Sequence, residues 1–206
     1  MRREGGRAKQ RLGESTERDK HPAISPHPES HKKFQPIPSP FVSFKKIITM
    51  DAKNKELVNE ISQLLLGGSA HADLKKALKD LPTKLRGVKP DNLPYSIWQL
   101  VEHIRIAQWD MLNFCLDPHH KSPKWPDEYW PKETGPKNDE AWHESIAQIN
   151  DHLDKFIELL EHSNIYEKIP GGSGQTILKE ALQLADHTAY HVAEIIVIRR
   201  LLGAWD

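Results

Sequence analysis

Between Thr176 and Gly203 the chain reads "TILKEALQLADHTAYHVAEIIVIRRLLG", with no proline and no glycine before the last position. Leu184, His187, His191, Ile195 and Ile198 follow one another at three- or four-residue steps, so they share one face of a helix. The pattern predicts a helix from about Thr176 to Leu202, stopped by Gly203. Glu194, Arg199 and Arg200 interrupt its apolar run, which makes it a helix of a soluble protein and not a membrane span.

The same periodicity continues backward to Met50, and no alternating run is long enough to build a sheet. Leu57, Ile61, Leu64 and Leu65 define a first helix that ends at Gly67 and Gly68. A short helix is expected from about His71 to Leu81, stopping before Pro82, and "LPTKLRGVKPDNLP" is a connector whose prolines bar helix continuation. A long helix follows from about Tyr95 to Leu116, with Pro94 suited to its first turn and Ile97, Leu100, Val101, Ile104 and Met111 on its buried stripe. Another runs from about Asp139 to His162, its leading acids Asp139 and Glu140 matching the positive end of the helix dipole. "PGGSGQ", which lacks the preceding strand and the Lys-Ser/Thr ending of a phosphate loop, is a turn. Three long helices and a shorter first one imply an all-α fold, a four-helix bundle over residues 50–206.

Residues 1–49 differ in kind. They hold 6 of the 15 prolines and 11 Lys/Arg against 5 Asp/Glu, which leaves 18 against 24 for the remainder of a chain whose formal net charge is zero. Without a periodic apolar pattern they are expected to form a disordered tail, and His21, His27 and His31 within it to be solvated. No export signal is legible there, and the acids Glu4, Glu14, Glu17 and Asp19 argue against a transit peptide. The helical pattern starts directly after Met50, so the tail reads as an extension ahead of the domain. Balanced charge suggests no nucleic-acid partner. Cys115, the one cysteine, excludes an intrachain disulfide and a thiolate-rich metal cage, and is consistent with a cytoplasmic protein. Any metal must be held by histidine or carboxylate.

Residues 117–137, "DPHHKSPKWPDEYWPKETGPK", are too long for a simple connection. Trp125, Tyr129 and Trp130 are costly to leave in water, so the loop should pack on the body of the domain or against a second subunit.

The histidines carry the chemistry. His187 and His191 lie one turn apart on a face otherwise apolar. Two neighbouring buried imidazoles need partners for their nitrogens and repel when both are protonated. A divalent cation that accepts a lone pair from each neutral ring removes both difficulties, as do hydrogen bonds to backbone or acids in an ordinary core. His103, in "WQLVEHIRIAQWD", shares a row with Leu100 and the small Ala107 and should also point inward. Three histidines from two helices match the donor set of an open metal site. The motif H-E-x-x-H is absent, since Thr188 stands where the general-base glutamate would be.

"LPYSIWQLVEHIRIAQWD", "SPKWPDEYWP" and "GQTILKEALQLADHTAYHVAEIIVIRRLLGAW" together resemble the DinB-like (DinB/YfiT) superfamily of four-helix bundle proteins over nearly all of residues 51–206. The resemblance implies a divalent metal (Zn, Ni, Fe or Mn) on His103, His187 and His191, and a homodimer. It makes "GGSAH" a family element and His71 a residue that lines the site or simply opens a helix. Relatives include metal-dependent enzymes that activate a low-molecular-weight thiol. The function this implies is a thiol S-transferase type of enzyme acting on a small-molecule thiol and an electrophile. The alternatives are a metal-dependent hydrolase using metal-bound water and a non-catalytic, stress-related metal-binding protein.

Other residues have plainer expectations. Glu102 and Asp186 are either orienters of imidazole N–H groups or ordinary helix acids. Tyr190 either shapes a pocket beside the pair or, the simpler reading, fills the core; Cys115 is read as a buried small residue about 18 Å along its helix from His103, and His119, His120, His143, His152 and His162 as solvated.

Overall fold

The computed structural model describes residues 54–68 and 70–205; the expectations for residues 1–49 lie outside them. Among the described residues there are five α-helices. Helix α1 covers residues 54–65, α2 Leu74–Leu78, α3 Ile97–Leu116, α4 Asp139–His162 and α5 Ile177–Leu201, with single 3-10 turns at Thr83–Leu85 and Asp127–Tyr129. The only strand-like pairing among the described residues is an isolated bridge between Lys168 and Thr176. The chain is therefore all-α.

Side-chain caps set the helix starts, and they explain where periodicity overran. The short helix begins at Leu74 because the Asp73 carboxylate accepts from the Lys76 amide at 2.6 Å. Its end at Leu78 comes before Asp80, which sits at φ 54°. The expected span from His71 to Leu81 is thus cut at both ends. Likewise α3 starts at Ile97 and not at Tyr95: Ser96 and Gln99 form a reciprocal capping box, which leaves Pro94 outside the helix. Asn138 and Thr176 cap α4 and α5 more simply, their side-chain oxygens accepting from the amides of Ala141 and Lys179.

Two apolar clusters fill the bundle. One joins Ala77 of α2, Ile97 to Ile104 of α3, Trp142 and Ile149 of α4, and Val192 to Ile198 of α5. The other joins Ile61 and Leu65 of α1, Leu112 of α3, Phe156 and Leu160 of α4, and Ile177 to Ala185 of α5. The first takes the beginning of α3 and the end of α5, the second the reverse, so these two helices run antiparallel. On α5 His187 falls between the stretches that feed the two clusters, while His103 lies near the end of the α3 stretch that feeds the first. Buried Arg199 ties α2 to α5: its guanidinium donates to the carbonyls of Ala77 and Lys79 at 2.7 and 2.8 Å. Among the described residues no helix is long and apolar enough to cross a membrane.

Part of the aromatic loop packs on the domain, one of its two expected placements. Gln99 Nε2 donates to the Pro131 carbonyl at 3.1 Å, and Tyr95 stacks on Trp130 with centroids 4.2 Å apart. Trp125 departs from the expectation. It is 71% exposed and stands at the edge of a cavity that His103 and His187 also line.

Candidate metal centre

His103 and His191 are buried and His187 half-buried. Their Nε2 atoms converge: His187 Nε2 lies 3.0 Å from that of His103 and 3.2 Å from that of His191. One donor atom from each ring falls within 4.8 Å of the others, so the three could hold a metal ion. Two imidazole nitrogens on one cation at ~2.0–2.1 Å are roughly 3.0–3.3 Å apart when they subtend an angle of about 95–105°. The two separations from His187 have that size.

Hydrogen bonding fixes the tautomers. His103 Nδ1 donates to the Tyr129 carbonyl at 3.0 Å, a group that can only accept. His191 Nδ1 donates to the Glu194 carboxylate at 2.7 Å. Both rings therefore present a bare Nε2 lone pair to His187. His187 Nδ1 is buried and has no hydrogen-bond partner among the described residues. With its proton on Nε2, His187 satisfies one neighbour and leaves the other facing an N–H already used. With its proton on Nδ1, three lone pairs meet. Protein atoms alone leave this layer unsatisfied, and a cation there would satisfy it.

The rings are neutral near pH 7. Burial pushes His187 down to about 4, helped by the charges that His191 and His103 would carry and opposed by Asp186. Burial and then His103 lower His191 to about 4. His103 is lowered by burial, against the opposing pull of the Tyr129 carbonyl and Glu194. Neutral imidazole is the form that ligates a metal.

Neighbouring aromatic groups hold the first ring in place. Trp130 lies flat on His103, with centroids 3.9 Å apart and planes 3° from parallel. On the open side, a cavity of about 420 Å³ is lined by His103 and His187, together with Asp110, Trp125, Tyr129 and Glu180.

Several expectations change. The imidazole orienters are Glu194 and the Tyr129 carbonyl. Glu102, which accepts from Arg105 through two 2.8 Å bonds, and Asp186, which is exposed, follow the other of their two expected readings, ordinary helix acids. Tyr190 is 62% exposed and not core. His120 is not solvated: its Nε2 pairs with Asp110 at 2.7 Å, which fastens the loop to α3. His152 is half-buried. His71 is exposed and lines a separate cavity with Gln108 and Thr188, away from the three rings. Glu194 had a legible signal in its three-residue offset from His191; a backbone carbonyl such as that of Tyr129 has none.

No curated protein and no solved structure matches the chain. The family model of the DinB superfamily matches residues 69–195, more than half of the 206 residues, and this span contains all three histidines. The chain belongs to the DinB superfamily.

Proposed function

We propose that His103, His187 and His191 hold one divalent cation and that the protein is a metal-dependent transferase of the thiol S-transferase type. The observation that carries this reading is the convergence of three neutral Nε2 atoms, with the rings of His103 and His187 lining an open cavity. These three histidines would hold the cation, whose Lewis acidity would lower the pKa of a bound thiol enough to give thiolate at neutral pH without a dedicated base.

The chain's own residues do the rest. The Tyr129 carbonyl and Glu194 accept hydrogen bonds from the Nδ1–H groups of His103 and His191 and aim those two rings. Trp130 keeps water from one face of His103. The cavity offers room for a thiol and an electrophile beside His103 and His187. The protein's own thiol is not a competitor: burial, with the charge of Glu180, pushes Cys115 up to about 12. In this reading the protein works on small molecules as a cytoplasmic homodimer, free of nucleic acid and membrane.

The test is a metal assay of untagged protein followed by a thiol screen with a chromogenic electrophile. Metal-dependent thiol consumption is the expected result. Ester turnover without thiol would point to a hydrolase, and neither activity to a metal-binding protein without catalysis.

A further inference from the structure

The cavity beside the three rings has a second polar end. Asp110 lies seven residues after His103 on α3, and Glu180 seven residues before His187 on α5. Because α3 and α5 are antiparallel, the two carboxylates sit at one level, each about 10 Å along its helix from its histidine. Both line the cavity.

Their situations differ. The Asp110 carboxylate accepts from His120 Nε2 and from the Tyr129 hydroxyl. Glu180 is 5% exposed, yet no hydrogen bond or ion pair from the described residues engages its carboxylate. Lys179, next to it in sequence, is exposed at the cavity wall and does not pair with it. Burial raises the Glu180 pKa, Lys179 opposes the rise, and Asp110 adds to it. Its oxygens are not sealed in the interior: they open on the cavity that Glu180 lines, where water or an incoming cationic group can meet them.

We propose that Glu180, with Asp110 behind it, is a subsite for the protonated amine of a ligand whose other end reaches the three histidines. Only the identity of that other end, a thiol sulfur, rests on the function proposed above. The spacing excludes cysteine itself, whose sulfur and nitrogen are separated by only two carbons. It fits a longer thiol with its amine remote from its sulfur. N-acylated and purely anionic thiols lack the charge that Glu180 calls for.

Four probes separate the two claims: glutathione, its N-acetyl derivative, and the S-methyl form of each. Titration calorimetry on the cobalt-loaded full chain gives affinities, and a sulfur-to-cobalt charge-transfer band reports thiolate binding. The free-amine member of both pairs should bind at least about 10-fold tighter than its acetylated partner. Glu180→Gln, which keeps the side chain's shape, should reduce that preference to within about 2-fold. Equal affinity of free and acetylated forms in the wild type would overturn the subsite, as would an undiminished preference in E180Q or no binding of any probe at millimolar concentration. If the amine preference persists and neither thiol produces the band, the subsite stands and the thiol reading falls. A band without the preference means the reverse: the thiol reading stands and the subsite falls.

Discussion

The indole of Trp130 covers the imidazole of His103 face to face, 3.9 Å between centroids, and is itself backed by the ring of Tyr95 at 4.2 Å. A loop residue thus completes the packing around a histidine of α3. Trp130→Ala should cost about 2–3 kcal/mol of stability, below the range for a fully buried tryptophan because Trp130 keeps some exposure. It should also weaken metal binding, since the ring of His103 gains freedom. Trp130→Phe should retain most of both. Denaturant melts and metal competition check the pair; an alanine variant as stable and as tight as wild type would contradict the packing role.

Glu194 fixes His191 through its Nδ1 proton. Removing such a partner usually costs 10–100-fold in metal affinity, and Glu194→Gln should fall at the lower end, about 10-fold, because the amide oxygen can still accept. Competition against a chromophoric chelator measures it. Unchanged affinity would mean that another group orients the ring.

In chelator-stripped protein the pH dependence has a defined sign. His187 and His191 titrate at about 4 in the fold against an ordinary value near 6.5. The unfolded chain then binds more protons between these values, so their contribution is complete above about pH 6.5 and is lost as pH falls toward about 4. Urea midpoints across this window should fall with acidification, and less steeply in a His187→Ala/His191→Ala double variant. Equal slopes would contradict the assignment.

Cys115 should be inert. Its thiol, pushed up to about 12 mainly by burial, carries almost no thiolate at pH 8. An aromatic disulfide reagent should label it slowly in the native protein and rapidly in denaturant, and Cys115→Ser should keep its metal. Rapid stoichiometric labelling of the native state would contradict this.

How much of the fold and the centre is legible in the chain follows from which interactions are local. Helical periodicity and the four-residue spacing of His187 and His191 report geometry within one element, and both can be read directly. His103 can be placed on an inward face because Leu100 and Ala107 share its row. Periodicity alone sets two helix starts two or three residues early, where Asp73 and Ser96 cap, since capping is decided by one side chain and not by the apolar period. The contacts that finish the site are out of reach for a different reason. Tyr129 lends a backbone carbonyl, Asp110 and His120 meet through a folded loop, and Trp125 stays exposed beside the cavity although its composition argues for burial. Such pairings depend on where a 21-residue loop, 117–137, settles, and nothing in its spacing encodes that.

X-ray absorption at the edge of whatever metal co-purifies with untagged wild-type protein tests the centre most directly, when repeated on His191→Ala. One metal per chain with outer-shell scattering from three imidazoles is the predicted result, with stoichiometric metal lost in the variant while its helical circular dichroism is kept. A wild-type spectrum without imidazole scattering, or a variant that retains its metal in full, would contradict the assignment of His103, His187 and His191.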